Sequence, residues 1–279
     1  MAKESSPLFL HAPGFSLKDT IDCGQCFRWS IQPDGSYCGI AGGHRLRLRQ
    51  DGSILTFFDT TGEEFDRIWR KYFDFDTDYP GICRSLCKDA VIRQAYEYTA
   101  EIHILRQEPW EGLCSFIISQ NNNIPRITGI IDRLCCNFGE QLPGGDYAFP
   151  SAERLAVLEP EDLSVLRAGF RVRYILDAAR KVADGRIDFG RIASEDLETA
   201  RQELRQICGV GPKVAECALL FGLYRLEAFP VDVWMKRVLK WFYQTGFPEE
   251  AKPYGGIAQQ VLFHYVRCCA YAVPEEMQH

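Results

Sequence analysis

The stretch GVGPKVAEC places a lysine just after a glycine-rich turn, where an apolar segment begins. Gly209 and Gly211 allow a tight turn, and Pro212 suits the first position of a following helix. Lys213 then lies in the first helical turn, where the helix dipole and the apolar surroundings both disfavour a positive charge. A neutral lysine amine is a nucleophile that can form a Schiff base, whereas a charged one would bind phosphate.

The spacing of the two glycines excludes the common nucleotide-binding loops. A GxxxxGK[ST] loop needs more widely spaced glycines and a Ser or Thr after the lysine, and a GxGxxG fingerprint follows a strand rather than a helical segment. The pattern instead predicts a helix, a tight turn and a second helix. Free N–H groups at the start of that second helix would form a seat for a DNA phosphate. An ordinary helical hairpin is the alternative.

A carboxylate follows the lysine at a distance that allows the two to meet. In FPVDVWMKRVL, Asp232 precedes another amphipathic helix nineteen residues after Lys213. An aspartate at this position is a good N-cap. The same carboxylate can face a cleft and stabilise a cation that develops near the amine. The two roles are compatible.

The bulk composition indicates a folded globular protein of one to three subdomains. Its 279 residues are 46% hydrophobic, and the net charge of -6 argues against a surface coated in cations. A local basic stretch, RAGFRVRY, still allows a groove for nucleic acid. We expect no secretion signal in MAKESSPLFLHAPG and no membrane-spanning segment. The expected location is the cytoplasm, at the nucleoid, of a bacterium or the nucleus of a eukaryote.

Twelve cysteines raise the question of a metal site. Cys23 and Cys26 form a CxxC pair, and Cys83 and Cys87 form a CxxxC pair, which together are the pattern of a zinc site. The glycine patterns of zinc knuckles are absent, and the C-terminal cysteines lack the spacing of an iron–sulfur cluster. Adjacent pairs such as Cys135-Cys136 rarely form a disulfide. Reduced thiols are therefore the favoured interpretation.

The elements that must position these residues change type along the chain. Asp34-Gly35 and Asp51-Gly52 mark turns of an antiparallel meander, in which HRLRLRQ alternates buried leucines with a solvated basic face. Helical periodicity follows from about residue 85. Two predicted helices start after the capping residues Asn123 and Ser151. A third runs from Leu197 and ends at Gly209, and a fourth runs from Tyr254 to Cys269. The fold class is therefore α+β.

Several of these stretches together resemble one enzyme family. GVGPKVAECALLFGL followed by PVDVWMKRV is similar to the helix–hairpin–helix DNA glycosylases, and SFIISQNNNIPRITGIIDRLC, GQCFRW, AGFRVRYILDAAR and GGIAQQVLF resemble the 8-oxoguanine DNA glycosylases among them. The likeness runs in order from Gly24 to Phe263. It implies an N-terminal antiparallel sheet domain over residues 1–100 and a helical body of two subdomains. These are residues 101–121 with 227–279, and residues 122–226, which contain the hairpin.

The resemblance implies a bifunctional glycosylase and lyase that flips 8-oxoguanine out of duplex DNA. Lys213 would attack C1′ of the sugar, displace the base and leave a Schiff base that proceeds to β-elimination, while Asp232 would stabilise the cationic sugar. The carbonyl of Gly24 would accept the N7–H of the lesion, which normal guanine lacks. The remaining lesion contacts are implied at Cys217 and Phe263, which sandwich the base, and at Gln259 and Pro230.

The family's contacts to the rest of the DNA fall on further residues. Asn121 would fill the hole left by the flipped base, and Arg126 and Arg171 would bind the estranged cytosine. The residue patterns alone also fit helix capping for Asn121 and core packing for Phe263. The remaining expected DNA contacts are Gly209, Gly211 and Trp234. The resemblance further implies a cation bound by the backbone carbonyls of Arg205, Ile207 and Val210, with no catalytic metal and no redox cofactor.

The sequence departs from the family pattern at several positions. Cys208 replaces a proline and Pro212 a threonine in the hairpin, and Pro125 follows the asparagine run. Trp234 replaces a phosphate-contacting histidine, and Phe170 replaces a tyrosine beside the cytosine-binding arginine. These changes affect the phosphate contact and the preference for cytosine, and none removes the lysine or the aspartate.

The expected partner is duplex DNA that carries 8-oxoguanine opposite cytosine, bound by a monomer. Two alternatives remain open: a helix–hairpin–helix glycosylase for another oxidised base, and a non-catalytic DNA-binding module.

Overall fold

A five-stranded antiparallel sheet occupies the N-terminal part of the chain. In the computed structural model, which describes residues 6–99 and 101–268, the strands are β1 (Leu8–His11), β2 (Trp29–Ile31), β3 (Tyr37–Ala41), β4 (His44–Asp51) and β5 (Ile54–Phe58). Their order is β1-β5-β4-β3-β2. Gly35 and Gly52 adopt φ values of 80° and 58° in the β2–β3 and β4–β5 turns, a region that favours glycine. The predicted meander is confirmed.

Strand β4 separates a buried face from a charged one, as the alternation in HRLRLRQ predicts. Leu46 and Leu48 are buried in the core. Arg45 pairs with Asp146 (3.0 Å), Arg47 with Asp34, and Arg49 with Asp51 (2.9 Å). Pairs this exposed contribute little to stability, about 0–1 kcal/mol each.

Apart from two isolated β-bridges, the regular secondary structure in the rest of the described chain is helical. The helices are α1 (Leu17–Asp22), α2 (Gly62–Glu64), α3 (Arg70–Tyr72), α4 (Tyr79–Leu86), α5 (Ala90–Tyr98), α6 (Pro109–Ser119), α7 (Ile124–Phe138), α8 (Ala152–Ala156), α9 (Arg171–Ala183), α10 (Phe189–Ser194), α11 (Leu197–Leu204), α12 (Pro212–Cys217), α13 (Val233–Phe242) and α14 (Gly255–Cys268). Short π-helical segments lie at Phe65–Trp69 and Ala218–Gly222, and 3-10 segments at Asp162–Leu166 and Glu249–Tyr254.

The helix starts follow the capping residues of the sequence. The Asn123 side chain accepts the N–H of Arg126 (3.0 Å) at the start of α7, and Ser151 caps α8 in the same way. The predicted end of the hairpin's first helix is wrong: α11 ends at Leu204, although Ile207 is still buried as the apolar stripe requires. The last predicted helix is present as α14, and Cys269 lies outside the described residues.

Two hydrophobic clusters meet at the segment that joins the sheet to the helical body. One cluster packs the inner face of the sheet against Trp69 and Phe73, and the other is shared by the helices from α4 to α14. Ile104 belongs to the helical cluster and its neighbour Leu105 to the sheet cluster. Residues 103–107 therefore bridge the two cores.

The three predicted domain ranges stay a prediction, and residues 1–5, 100 and 269–279 within them lie outside the described residues. Within the described ranges, no helix combines the length and the apolar character that crossing a membrane requires.

Candidate active site

Residues that are far apart in the sequence meet around one cleft and a smaller pocket behind it. The cleft has a volume of about 880 Å³ and the pocket about 50 Å³. Both are lined by Gly24, Phe116, Lys213, Asp232 and Phe263. The amine and the carboxylate picked out by the sequence thus share one cavity with the glycine from the N-terminal domain.

The structure brings most of the predicted contacts into this site. All of the predicted catalytic and lesion-binding residues line the pocket: Gly24, Lys213, Cys217, Pro230, Asp232, Gln259 and Phe263. The cleft adds three of the predicted DNA contacts: Asn121, Gly211 and Trp234. Arg126, Arg171 and Gly209 line neither cavity in the structure. The individual roles stay predictions.

The glycine turn has the predicted helix–turn–helix form, between α11 and α12. Gly209 adopts φ 77°, and a Cβ there would lie 2.4 Å from the ring of Tyr174, so both the backbone and the space demand glycine. A Cβ on Gly211 would meet nothing within 4 Å, which leaves open space in front of the turn. Lys213 lies in the first turn of α12, as predicted.

Helix α9 holds the hairpin turn in place, a feature that the sequence did not indicate. The carboxylate of Asp177 accepts the N–H of Cys208 (2.6 Å) and binds the amine of Lys181 (2.8 Å). The same amine donates to the carbonyl of Gln206 (2.6 Å). Of the predicted cation ligands, the carbonyl of Ile207 already accepts one hydrogen bond within the turn. The cation site stays a prediction.

Lys213 is half-buried against the C-terminal end of α6. Its Nζ lies 3.4 Å from the Ser119 hydroxyl oxygen and 5.0 Å from the centroid of the Phe116 ring. The Ser119 hydroxyl donates to the carbonyl of Phe116 (2.8 Å), so its oxygen is left to accept from the lysine. Neither side chain stands out in the sequence as a site residue, and their i, i+3 spacing in SFIISQ is the signal that places them on one helix face.

Cys217 faces the pocket from the turn of α12 after Lys213. Burial raises the pKa of its thiol to about 11, while the nearby Lys213 opposes part of the rise. The thiol is therefore protonated at neutral pH and presents a soft, uncharged surface rather than a competing nucleophile.

Asp232 combines the two roles that the sequence allowed. It is the N-cap of α13, with Oδ1 accepting the N–H of Met235 (2.8 Å), and it also lines the cleft. No donor within residues 6–99 and 101–268 is bonded to its second carboxylate oxygen. That oxygen remains for a substrate.

A buried glutamate ties the lysine helix to the loop that carries Asp232. Glu216, on α12, accepts the N–H of Phe229 (2.6 Å), three residues before Asp232. Its other oxygen forms an ion pair with Arg201 of α11. The glutamate thereby couples the positions of the amine and the carboxylate, and nothing in its local sequence indicated this role.

The residues expected to fill the gap in the duplex and to contact the opposite DNA strand lie close together beyond the end of α6. Asn121 is exposed and adopts φ 46°, a left-handed conformation that asparagine tolerates. Arg171 is only 2% exposed and donates to the carbonyls of Gln120 (2.9 Å) and Asn121 (2.9 Å). Its burial, with the nearby Arg126, lowers the pKa of its guanidinium. Arg171 thus supports the asparagine turn, and the exposed Arg126 lies beside it.

Cations at the cleft are free to meet an anion. Lys236 and Arg267 line the cleft together with Lys213, and none of the three pairs with a carboxylate among the described residues. On the sheet, by contrast, the arginines of β4 are paired. The unpaired positive charge is therefore on the side of the catalytic candidates, where a DNA backbone would enter.

Two family profiles together match almost the whole described chain. Residues 8–113 match the profile described as 8-oxoguanine DNA glycosylase, N-terminal domain. Residues 114–253 match the profile described as HhH-GPD superfamily base excision DNA repair protein. The profiles meet in α6, the helix that supports Lys213.

Related proteins and a solved structure point the same way. The chain is 40% identical to the N-glycosylase/DNA lyase of Saccharomyces cerevisiae, over 88% of this chain and 72% of that protein. It is 30% identical to the N-glycosylase/DNA lyase OGG1 of Arabidopsis thaliana, over 82% of this chain and 67% of that protein. The Clostridium acetobutylicum 8-oxoguanine glycosylase/lyase, in complex with double-stranded DNA containing cytosine opposite 8-oxoG, superposes with a TM-score of 0.86 at 33% identity, covering 96% and 99% of the two chains.

Proposed function

This chain belongs to the HhH-GPD superfamily of base excision DNA repair proteins, and on that premise we propose that it removes 8-oxoguanine from duplex DNA and then cleaves the strand. The observation that carries the proposal is the shared pocket of Lys213, Asp232 and Gly24. An amine, a free carboxylate oxygen and a backbone carbonyl are the three groups that this reaction needs. A module that only holds DNA has no use for the first two.

The lysine performs the first step on the flipped nucleotide. The Nζ lone pair of Lys213 forms a bond to C1′, and the bond from C1′ to N9 breaks with its electron pair on the departing base. The amine loses its protons to the base and to the sugar oxygen as the ring opens, which leaves a Schiff base. Loss of a proton from C2′ then expels the 3′ phosphate by β-elimination, and water releases the enzyme.

Asp232 and Ser119 assist from fixed positions. The free oxygen of Asp232 faces the positive charge that develops on the sugar, and its other oxygen is held by the N–H of Met235, so little reorganisation is needed. The Ser119 oxygen accepts from Lys213 and directs the amine across the pocket.

The base pocket distinguishes the lesion by hydrogen bonding. The carbonyl of Gly24 accepts the N7–H of 8-oxoguanine and would face a lone pair on guanine. Cys217 and Phe263 cover the two faces of the base, with Pro230 in the wall of the pocket. Gln259 is 3% exposed and receives a hydrogen bond from Gln260 (2.8 Å) at its oxygen, which leaves its N–H groups for the edge of the base.

The hairpin and the asparagine turn hold the duplex on either side of the extrahelical nucleotide. Gly209 and Gly211 bring the backbone of one strand to the start of α12, and Trp234 borders the cleft at the position of the family's phosphate contact. Asn121 fills the gap in the duplex. Arg126 makes the principal contact to the opposite cytosine, because Arg171 uses most of its donors on the turn.

The proposed reaction uses only side-chain and backbone groups of the protein. We propose that the protein acts as a monomer and is located where the cell keeps its duplex DNA. A cation at the carbonyls of Arg205, Ile207 and Val210 would serve the contact between the hairpin and a phosphate. The proposed chemistry assigns it no step.

Borohydride trapping tests the nucleophile. The protein is incubated with a duplex that carries 8-oxoguanine opposite cytosine, and borohydride reduces any Schiff base to a stable covalent complex. We expect a complex with the wild type and none with Lys213→Gln. A complex of undiminished yield with Lys213→Gln would refute the assignment. No complex with this duplex, but one with a duplex carrying an oxidised pyrimidine, would instead favour the other lesion class.

The same assay tests the contact between Arg126 and the base opposite the lesion. Duplexes with each of the four bases opposite the lesion are compared for the wild type and Arg126→Ala. We expect the variant to lose its preference for cytosine, with the covalent yield opposite the other bases little changed. An unchanged preference would remove Arg126 from the contact.

A further inference from the structure

Gln25, the residue after Gly24, is fully buried and uses both ends of its side-chain amide. Its Nε2 donates to the carbonyls of Thr20 (2.8 Å) and His103 (2.8 Å). Its Oε1 accepts the N–H of Leu105 (2.9 Å). A buried amide that is satisfied in this way has one favourable orientation, because rotation would leave several polar groups unpaired.

The partners of Gln25 connect the glycine turn to the bridge between the two cores. Thr20 is in α1, which ends just before Gly24. Residues 103–107 lead into α6, the helix beneath Lys213. The side chain of Gln107 also donates to the main-chain carbonyl of Gln25 (2.6 Å). The glycine turn is therefore fixed relative to the helix that supports the amine.

Gly24 has no side chain to hold its turn in place. It adopts φ 87°, and in the part of the chain that the structure describes its carbonyl accepts no hydrogen bond. The Gly24 carbonyl and the Gln25 N–H lie in the same peptide plane, so the placement of Gln25 sets the direction of the carbonyl. Without that anchor, the peptide after a glycine can rotate and present its N–H in place of the carbonyl.

We propose that Gln25 is a positioning residue that aims the Gly24 carbonyl at N7 of the flipped base and thereby sets the selectivity for 8-oxoguanine over guanine. The inference rests on the proposed function, since it concerns the same pocket. A carbonyl accepts from the N7–H of the lesion and repels the lone pair on guanine N7. A rotated peptide reverses this preference, because its N–H donates to guanine N7.

An abasic site separates positioning of the base from the rest of the reaction. It has no base to contact Gly24, yet Lys213 must still form a Schiff base for the strand to be cleaved. Gln25→Glu removes both donors and keeps the acceptor for Leu105, and Gln25→Leu removes all three bonds. Tyr79→Phe is the matched control, because it deletes the buried hydroxyl that accepts the N–H of Ile104 (2.7 Å) in the same bridging segment and leaves the bonds of Gln25 intact.

Single-turnover rates are measured on a duplex with 8-oxoguanine, a matched duplex with guanine, and one with a preformed abasic site. For both Gln25 variants we expect excision of 8-oxoguanine to fall about tenfold or more, equal to at least one lost hydrogen bond, while cleavage of the abasic site stays within about twofold. Release of guanine relative to 8-oxoguanine should rise. Tyr79→Phe should unfold at a lower temperature with unchanged rate ratios.

Three results would overturn the inference: a parallel fall in both reactions, no fall in either, or the same change of ratio in Tyr79→Phe. A parallel fall would make Gln25 a structural residue only. A wild type that cleaves abasic DNA but releases no 8-oxoguanine would refute the proposed function instead, and the inference with it.

Discussion

Replacing Glu216 should separate the stability of the helical body from the alignment of its two catalytic groups. This carboxylate accepts the N–H of Phe229 (2.6 Å) and pairs with Arg201, and its side chain is 11% exposed. Glu216→Ala removes both interactions. Glu216→Gln removes the charge and keeps an oxygen for the backbone N–H, so the pair of variants divides the two contributions.

The expected magnitudes follow from those contacts. A hydrogen bond to a charged group contributes about 1.5–3 kcal/mol. Loss of the ion pair adds less than it would in a sealed interior, because Arg201 is 31% exposed. We expect the free energy of unfolding to fall by about 3 kcal/mol in Glu216→Ala and by about 1 kcal/mol in Glu216→Gln. Excision by the folded Glu216→Ala should fall about 10–100-fold, since a displacement near 1 Å between reacting groups has an effect of this size.

The assay measures single-turnover excision of 8-oxoguanine with enzyme in excess, at a temperature where each variant is folded. Glu198→Gln is the control, because Glu198 pairs with the same arginine (3.3 Å) but does not contact the loop that carries Asp232. We expect its rate to equal that of the wild type. If Glu216→Ala is destabilised but excises at the wild-type rate, the glutamate does not align Asp232 with Lys213 and the reasoning is wrong.

Three further perturbations test other parts of the site. Gly209→Ala places a Cβ 2.4 Å from the Tyr174 ring, at a residue whose φ of 77° favours glycine. DNA affinity, measured by fluorescence anisotropy, should therefore fall about tenfold. Adding Tyr174→Ala to the same chain should restore part of that affinity. Asp177→Ala leaves the N–H of Cys208 without its acceptor and should weaken DNA binding. Asp177→Asn keeps an acceptor and should weaken DNA binding less. Equal losses of DNA affinity in the two variants would refute the role of that hydrogen bond. Burial lowers the pKa of His103 from 6.5 to about 4, so the unfolded chain takes up a proton at this histidine at a higher pH than the folded protein does. The free energy of unfolding should therefore decrease as the pH falls from 6.5 to 4. The melting temperature of His103→Asn should depend less on pH over this range, and an equal pH dependence in wild type and variant would contradict the assignment.

Features set by neighbouring residues were predictable from the sequence. The caps at Asn123 and Asp232, the turn at Gly209 and the position of Lys213 depend on a few adjacent residues whose chemistry determines the backbone. The meander is local in the same sense, since its turns and its alternation lie within about thirty residues.

Contacts between distant segments were not predictable in this way. The hydrogen bond from Phe229 to Glu216 and the anchoring of Gln25 to residues 103–107 appear only once the helices are packed. Arg171 illustrates the limit most clearly, because the resemblance assigned it to the estranged cytosine, whereas in the structure it is buried and donates to the backbone that follows α6. The backbone that follows α11 is another such case, because Asp177, on another helix, accepts the N–H of Cys208 in the turn.

Helix α9 also imposes a length scale on the bound nucleic acid. Its first residue, Arg171, supports the asparagine turn, and Asp177, six residues on, holds the hairpin. At 1.5 Å per residue the two attachments are separated by about 9 Å along one continuous helix. Because both attachments lie on the same helix, the asparagine turn and the hairpin are held at a fixed separation, and on the proposed function we expect the duplex to adapt to it. Lesions flanked by flexible pyrimidine–purine steps should therefore be processed faster than the same lesions within rigid A-tracts.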